Sequence, residues 1–556
     1  MSSTSRVRRG PRKVRGRYLV AVAASATLSV SAVFWMVDRP PSEAEVLVSK
    51  FVDALDNRDV AAAAALTTYP NAATAALNQM FDGLSADGRS TGDFDLTQYM
   101  DLSDESGFFT LASAWNFGEG KDWKYSAQGA TKKLSVGWRI AWDPATLVPD
   151  LTSGGSVRYT RTDAAPPLIF DSANNVLMSE RTINAISLDP AQMSDPAAST
   201  QQLADVIDVV APLITSETLL KELDSAHGAP ITAVTLRDDD FAVLEDDLRA
   251  VPGVVVAPQP KLIVDDRRIT SPVLDSLRAA WQSGRDATAG WAVDTYTVDG
   301  TGERRVGFQG PGGPDLHATL DPRVQLAAEN AVVMAGTSAS IVAVSTSTGA
   351  ILGAAQNSYA NEQGDVVFAG SYPAGTASEL IKAVQADRGD DSAEDAAARL
   401  GLGIHYAMPG LDAYTGTPAD SRSAIDGIRN VSTASGAEAT VTPFGLAQMA
   451  SAISRGSAPT PAIVAGQTAV ADRAAEPMGP DAAARLREIV AASSNSSGLD
   501  TFDGVQGFAG ESGDDRFVLA TSGDVAFAVY IEDADGGDQA VRMTSRLLQE
   551  MANPVE

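Results

Sequence analysis

The feature that most constrains this chain is a run of twenty uncharged residues, 18–37, near its N-terminus. A helix of that length spans roughly 30 Å at about 1.5 Å per residue, which is the thickness of the hydrocarbon core of a bilayer. Seven cations and no anion precede the run, and cations are retained on the cytoplasmic side of a membrane. The sequence therefore predicts a basic cytoplasmic segment (residues 1–17), a single transmembrane anchor (residues 18–37) and an extracytoplasmic remainder.

A cleaved signal peptide is the alternative interpretation of this segment, because Ala24, Ser25 and Ala26 are small enough for a signal peptidase site. The apolar run continues through Phe34 and Trp35, which favours a retained anchor. The chain contains no cysteine, so a lipid-modified cysteine anchor and structural disulfides are both excluded. The predicted location is the cell membrane, with one span and most of the chain outside.

Beyond the N-terminal cations the chain is strongly acidic, because 35 Lys and Arg stand against 71 Asp and Glu, a net charge of −36. That balance excludes nucleic acid as a partner, since clustered cations are what bind phosphate backbones. The three histidines, His227, His317 and His405, are too dispersed to form a metal site or a hydrolase triad. The acidic residues 238–240 are interpreted as a solvated turn rather than a calcium loop. The sequence predicts no metal and no cofactor.

The chain length of 556 residues predicts several domains. Residues 42–71 have the apolar spacing of helices, and strand-like runs follow between residues 108 and 142, so residues 42–153 are predicted to form a small α+β unit. Residues 154–308 mix short strands with helices. A stretch rich in glycine and proline, residues 309–314, is interpreted as a linker to a last domain at residues 315–556. The predicted fold class is a multidomain α+β protein.

The motif Val-Gly-Trp-Arg-Ile-Ala-Trp-Asp-Pro at residues 136–144 resembles the end of the N-terminal domain of methicillin-resistance-type penicillin-binding proteins. The resemblance implies a nuclear-transport-factor-two-like cone fold for residues 42–153. Residues 236–241 and 251–254 resemble the pedestal, or dimerisation, domain of class B penicillin-binding proteins, which is assigned to residues 154–308. The Arg-Gly pair usual in that domain would fall near Pro166 and Pro167, so its local geometry departs from the family and dimerisation is left open.

Residues 318–329, 340–354 and 436–450 resemble, in that order, the entry and a late helix of a penicillin-binding transpeptidase domain. The resemblance assigns an α/β domain of this type to residues 315–556. In that family a serine at a helix start attacks the substrate, and a lysine one turn later supports proton removal. The lead-in Tyr-Pro-Ala-Gly at residues 372–375 puts Thr376 at the serine position and Glu379 at the lysine position.

The family's third motif, Lys-Thr-Gly on the strand that lines the cleft, falls on Glu511, Ser512 and Gly513. The resemblance implies that the lysine meets the carboxylate of a stem peptide or a β-lactam, which Glu511 would repel. The second motif, Ser-x-Asn on a loop between two helices, has little room between Lys382 and residue 400, so those helices are predicted to be largely deleted. The Ser-Ser-Asn at residues 493–495 is interpreted as a chance match in a loop.

A shift of the first motif by two residues would make Ser378 the nucleophile and Lys382 its base. The two residues are four apart, which places them on one face of a helix. Ser378 would, however, lie deeper in the helix and be turned away from the helix start.

The sequence therefore predicts a catalytically degenerate penicillin-binding-protein homologue with a binding or scaffolding role in peptidoglycan assembly. The candidate partners are the membrane, peptidoglycan stem peptides and cell-wall synthesis proteins. Two alternatives stay open. One is an active D,D-transpeptidase or carboxypeptidase that uses Thr376 or Ser378, and the other is a receptor for peptidoglycan fragments.

Overall fold

A computed structural model describes residues 40–86, 88–388, 392–419 and 438–553 of the chain. The predicted basic segment and transmembrane anchor, residues 1–37, lie outside the described residues. Within the described ranges, no helix is both long and apolar enough to cross a membrane. The chain divides after Ser156 into two compact units, with residues 297–299 counted in the first unit.

The first unit has three helices followed by a four-stranded antiparallel sheet in the order β1-β2-β3-β4. Its elements are α1 (Glu43–Asp56), α2 (Val60–Ala65), α3 (Pro70–Gly83), β1 (Thr91–Ser103), β2 (Ser106–Asn116), β3 (Asp122–Leu134), β4 (Gly137–Ala141) and a 3₁₀ helix (Pro144–Thr146). Ser42 begins α1 with a capping box to Glu45. The predicted helices and strands of this region are therefore present.

The core of the first unit lies between the helices and one face of the sheet. Alternate residues of β2 are buried, as the period of two in a strand requires. Trp115 of β2 is almost fully buried and makes edge contact with Phe94 of β1, with ring centroids 5.8 Å apart. Strand β1 was not predicted from the sequence, because most of its residues are exposed and polar and give no clear alternation of apolar side chains.

The second unit begins with strands that alternate with helices. Its elements up to residue 317 are β5 (Ser156–Thr162), β6 (Ile169–Phe170), β7 (Val176–Leu188), a 3₁₀ helix (Pro190–Gln192), α4 (Pro196–Ile207), α5 (Ser216–Ser225), β8 (Ile231–Arg237), α6 (Asp238–Ala250), β9 (Val254–Val264), α7 (Val273–Thr288), β10 (Gly290–Tyr296), β11 (Gly302–Phe308) and β12 (Leu316–His317). Strand β7 pairs with β6, β8 and β9.

The predicted solvated turn at residues 238–240 is wrong, since these three aspartates form the first turn of α6. Negative charge is stabilised there by the helix dipole.

The remainder of the second unit is built on a five-stranded sheet in the order β14-β13-β23-β22-β21. Its elements are α8 (Pro322–Val332), β13 (Ala339–Ser345), β14 (Ile351–Gln356), α9 (Ser358–Gln363), α10 (Val366–Ala369), β15 (Tyr372–Pro373), α11 (Ala377–Arg388), α12 (Ala393–Arg399), β16 (His405–Met408), β17 (Leu411–Tyr414), β18 (Gly416–Thr417), β19 (Thr440–Val441), α13 (Pro443–Arg455), β20 (Val470–Ala471), α14 (Pro480–Ser497), a 3₁₀ helix (Leu499–Thr501), β21 (Val505–Ser512), β22 (Asp515–Ser522), β23 (Val525–Ile531) and α15 (Gln539–Ala552).

Helices cover both faces of this sheet, and all its strand pairs are antiparallel. Residues of α8 and α15 pack on one face, and residues of α11, α13 and α14 belong to the cluster on the other. That second cluster also contains Leu262, Leu277 and Trp281 from the part of the unit before residue 300. The two parts of the second unit therefore share one hydrophobic core, and the predicted division at residues 309–314 stays a prediction.

Two turns at one end of the sheet are joined through Asp524, which follows β22. Its carboxylate accepts hydrogen bonds from the hydroxyl of Ser345 (2.7 Å), the last residue of β13, and from those of Thr346 (2.7 Å) and Ser347 (2.8 Å) in the turn that follows. Burial by itself would raise the pKa of Asp524, but these hydrogen bonds outweigh it and hold the pKa below its ordinary value of 3.8. The ionised carboxylate is thus the form that makes the hydrogen bonds between the two turns.

We expect Asp524→Ala to lower the free energy of unfolding by about 1–2 kcal/mol at neutral pH, because buried hydroxyls of Ser345 and Thr346 lose their acceptor. A group with a depressed pKa contributes stability that is lost as the pH falls through that pKa. The difference between wild type and variant should therefore shrink below pH 3.8. Urea denaturation at neutral and acidic pH measures it. The control is Asp503→Ala, an exposed carboxylate with no hydrogen bond or ion pair to a described residue. An equal loss in both variants would contradict the expectation.

Candidate functional site

The segment that corresponds to the first motif joins a short strand to a helix. Strand β15 pairs with β19, and the Ala374 amide donates to the Ala439 carbonyl at 2.8 Å. The chain then turns at Gly375, whose φ of 48° lies in the left-handed region. Thr376 follows as the last residue before α11. The predicted nucleophile position is therefore at a helix start, as an attacking side chain would require.

Two hydrogen bonds connect Thr376 to the strand that carries the third motif. The Thr376 amide donates to the Glu511 carbonyl at 2.9 Å, and the Glu511 amide donates to Thr376 Oγ1 at 2.9 Å. We call this pair of bonds the clasp. The structure thus brings together two of the positions singled out in the sequence, although 135 residues separate them along the chain.

Two glycines make the close approach of the clasp possible. A Cβ atom on Gly375 would lie 2.2 Å from the Glu511 carbonyl oxygen and 2.6 Å from Ser512 Cβ. A Cβ atom on Gly510 would lie 2.6 Å from Thr376 Oγ1 and 2.3 Å from the ring of Phe517. Real side chains cannot tolerate such distances. The backbone contact therefore depends on glycine at both positions.

The clasp is part of a wider pattern along β21, which is an edge strand of the sheet. Edge strands leave a row of amides and carbonyls free to pair with another chain. Here the amides of Gly507, Ala509 and Glu511 donate to hydroxyls, namely those of Ser494 (2.7 Å), Ser493 (3.0 Å) and Thr376 (2.9 Å). These three outward-facing amides of the strand therefore already donate hydrogen bonds to side chains of the same protein.

This pattern also corrects the interpretation of residues 493–495. They do not lie in a loop but in the last turns of α14, which ends at Gly498 with a φ of 78°. Within the helix the Ser497 hydroxyl donates to the Ser493 carbonyl at 2.7 Å, so this polar side chain is accommodated in the last turn. Ser494 is buried and both donates to and accepts from Gly507. The serine-rich composition suggested a turn, whereas tertiary contacts with β21 keep the segment helical.

The side chain at the predicted base position makes no hydrogen bond to Thr376. Glu379 is exposed in the first turn of α11. Lys382 is the only lysine between residues 315 and 556, and it is also exposed. Within the described ranges neither side chain makes a hydrogen bond or ion pair. The arrangement of nucleophile and lysine that the family resemblance implies is absent from this helix.

The alternative pair, Ser378 and Lys382, is not brought together either. Ser378 is half-buried, and no described residue bonds to its hydroxyl. The structure shows no hydrogen bond between Ser378 and Lys382. The contacts to β21 are made by Thr376 and not by Ser378. Nothing in this geometry activates the serine.

Glu511, Ser512 and Gly513 end β21 and begin the turn into β22. The Glu511 side chain is 61% exposed, and the guanidinium of Arg516, directly opposite in the register, lies 3.5 Å from its carboxylate. Arg516 also donates to the Gly513 carbonyl at 2.8 Å. Sequence reasoning missed Arg516, although counting outward from the two-residue turn Gly513–Asp514 would have paired it with Glu511.

The stretch between the first motif and residue 400 is short. Among its described residues it contains only the end of α11 and the seven-residue α12, which Ser392 caps by accepting from the Asp395 amide at 3.1 Å. Arg473 binds the carboxylates of Glu394 and Asp395 at the same end of α12. No Ser-x-Asn sequence occurs in this stretch.

Two stacked tyrosines lie beside the first motif. The rings of Tyr372 and Tyr530 have centroids 4.2 Å apart, and the Tyr530 hydroxyl donates to Asp515 at 2.7 Å. Burial, followed by a hydrogen bond to Glu532, raises the pKa of Tyr372. Burial, followed by the bond to Asp515, raises the pKa of Tyr530. Both phenols are therefore protonated at neutral pH and cannot act as bases.

The histidines do not form a site. His405 stacks on Tyr414 and lies 3.1 Å from Asp412, whereas His317 stacks on Phe170. In the part of the chain that the structure describes, no group of three or more His, Asp or Glu residues is arranged to hold a metal ion. The absence of a metal and of a cofactor stays a prediction.

We expect Gly375→Ala to break the clasp and to lower the free energy of unfolding by more than about 2 kcal/mol, because backbone strain adds to a clash with β21. Gly513→Ala is the matched control: its φ is 61°, but nothing lies within 4 Å of the added Cβ, so we expect a loss of about 1 kcal/mol. Denaturant unfolding measures both, and hydrogen exchange at the Thr376 and Glu511 amides reports the clasp. Equal losses, with unchanged exchange at these amides, would contradict its role.

Comparison with known proteins adds one relationship. Residues 43–155, which coincide with the helices and sheet of the first unit, match the family model described as an NTF2-like N-terminal transpeptidase domain. No curated protein matches the chain significantly. The match does not extend to the clasp or to β21. The first unit is therefore similar to the NTF2-like N-terminal domain of transpeptidases, and this supports a transpeptidase-type relationship for the chain.

Proposed function

We propose that this protein is a membrane-anchored, extracytoplasmic homologue of class B penicillin-binding proteins that acts in peptidoglycan assembly by binding or scaffolding and not by catalysis. The clasp between Thr376 and Glu511 is the observation that carries the proposal. The remaining support comes from the replaced motif residues, the occupied edge of β21 and the N-terminal domain match.

The clasp uses the groups that acyl transfer would need. A nucleophilic hydroxyl must be next to a base, and free N–H donors must face the position where the oxyanion develops. The Thr376 hydroxyl instead accepts from the Glu511 amide, and the Thr376 amide donates to the Glu511 carbonyl. A substrate carbonyl would have to displace both bonds before it could approach. Thr376 is therefore a structural link in this protein.

The charges at the motif positions also oppose the usual substrate. Glu379 and Glu511 stand where the family resemblance implies lysines. At about 4 Å and an effective dielectric constant near 20, each unit-charge interaction has a magnitude of about 4 kcal/mol. Reversal of its sign disfavours a ligand carboxylate by several kcal/mol. Arg516 offsets part of this effect at Glu511, but its guanidinium is largely buried and also engaged with the Gly513 carbonyl.

The occupied edge of β21 favours a protein partner over a stem peptide. An extended peptide binds a sheet by pairing with the free groups of an edge strand. Hydroxyls of Ser493, Ser494 and Thr376 already occupy the amides that such a peptide would use. The partners that we propose are therefore cell-wall synthesis proteins bound at other surfaces of the fold.

The test is exposure of the full chain to a fluorescent penicillin, followed by denaturing electrophoresis and intact-mass measurement. We expect no covalent adduct, because Thr376 is held in the clasp and no lysine contacts it. Ser378→Ala and Lys382→Ala are treated in parallel, and both are expected to match the wild type.

An adduct on the wild-type chain would overturn the proposal. If Ser378→Ala then abolished the adduct, the alternative of an active enzyme with a shifted nucleophile would be correct. If only Thr376→Ala abolished it, Thr376 would be the nucleophile. Saturable binding of stem peptides without an adduct would instead establish the receptor alternative.

A further inference from the structure

The hairpin formed by β3 and β4 in the first unit carries an unusual combination of side chains. Its residues 132–139 read Lys-Lys-Leu-Ser-Val-Gly-Trp-Arg. Leu134 pairs with Gly137 and closes a two-residue turn. Val136 at this turn is 69% exposed, and Leu134 beside it is 37% exposed. Two large apolar side chains therefore project from the tip of a basic hairpin.

The charge of this hairpin is opposite to that of the protein as a whole. Four of the nine lysines of the chain lie on or next to β3, at positions 121, 124, 132 and 133, and Arg139 follows on β4. The chain beyond its N-terminal cations has a net charge of −36. Lys132 and Lys133 make no ion pair with any residue that the structure describes. An anionic surface repelled by most of this protein would consequently attract the hairpin.

Aromatic side chains adjoin the basic residues. Lys133 Nζ lies 5.9 Å from the ring centroid of Trp138, and Arg139 donates to the Trp138 carbonyl at 2.7 Å. An open depression of about 660 Å³ begins at the hairpin and is lined in part by Tyr69, Phe108, Lys132, Leu134 and Trp142. Aromatic residues with one apolar and one polar side, next to lysine and arginine, are typical of the membrane–water interface.

The neighbouring hairpin between β1 and β2 helps to define the extent of this surface. It exposes Leu102, which is 64% accessible, but its tip also carries Asp104 and Glu105. Anions at a tip would be repelled by anionic headgroups. The surface is therefore limited to the β3–β4 hairpin and the depression beside it.

We propose that the β3–β4 hairpin docks the first unit onto a bilayer that contains anionic phospholipids. Leu134 and Val136 enter the interfacial region, Trp138 lies at headgroup depth, and Lys132, Lys133 and Arg139 bind headgroup phosphates. A hairpin bound in this way orients the first unit at the membrane. The proposal goes beyond the scaffolding role and does not depend on the state of the clasp.

The absence of cysteine makes a direct test possible, because one introduced cysteine labels uniquely. The full-chain variant Val136→Cys, carrying an environment-sensitive fluorophore, is combined with vesicles of phosphatidylcholine alone or of phosphatidylcholine mixed equally with phosphatidylglycerol. Spin-labelled lipids serve as quenchers. The matched control is Val243→Cys on α6, which is 80% exposed. We expect a blue shift and lipid quenching at position 136 in the anionic vesicles, and neither at position 243.

A charge variant tests the electrostatic part of the proposal. Each cation near an anionic membrane surface contributes roughly a factor of five in binding, so Lys132→Gln with Lys133→Gln should reduce the ratio of docked to undocked hairpin by at least about tenfold. Both side chains are exposed, and circular dichroism confirms that the fold is retained. Asp104→Asn with Glu105→Gln should have the opposite effect.

Three results would overturn the proposal. The probe at position 136 could remain unquenched in anionic vesicles, which would leave a protein partner as the occupant of the hairpin. Its quenching could be the same in neutral and anionic vesicles, or it could be unchanged by the double substitution of Lys132 and Lys133. Finally, the probe could respond to a soluble polyanion such as polyphosphate but not to lipid quenchers, which would identify an anionic polymer as the ligand.

Discussion

The two hydrogen bonds between Thr376 and Glu511 hold the start of α11 against the edge of the central sheet, and the character of the site depends on them. They satisfy the amide and the carbonyl of Glu511 on an edge strand, where no neighbouring strand would pair with them. They form only because Gly375 and Gly510 have no Cβ atom. The same contact gives Thr376 a structural partner and removes the donors that acyl transfer would need. One contact thus positions the start of α11 and occupies both the hydroxyl and the amide of Thr376.

The surroundings of the clasp reinforce it from both sides. Ser493 and Ser494 of α14 occupy the next two outward-facing amides of β21, so an added strand would find no free donors there. Arg516 neutralises part of the Glu511 charge and donates a hydrogen bond to the Gly513 carbonyl in the turn after β21. Tyr372 and Tyr530 pack beside the first motif as protonated phenols. These contacts hold the start of α11, the end of α14 and the turn after β21 against the edge of the sheet.

The core of the second unit is independent of the polar residues at the motif positions. One hydrophobic cluster joins residues of α7 and β9 to residues of the central sheet and of α11, α13 and α14. Burial of apolar surface in that cluster does not depend on which polar residue stands at positions 376, 379 or 511. The packing of this cluster therefore places no demand on the residue types at these three positions. The first unit has a separate core around Trp115 and presents a surface of its own, the basic β3–β4 hairpin.

The sequence by itself determined the local elements and the residue types at the site. Local patterns predict helix caps such as Asp321 before α8, and they predict the apolar strands. The sequence also shows directly that Lys382 is the one lysine among residues 315–556. The structure decided what those residues contact. The clasp, the Arg516 pairing and the helical state of residues 493–495 depend on groups distant in the sequence or on register across a sheet. Local propensity cannot predict such contacts, because they stabilise the protein only after folding has brought the two distant partners together.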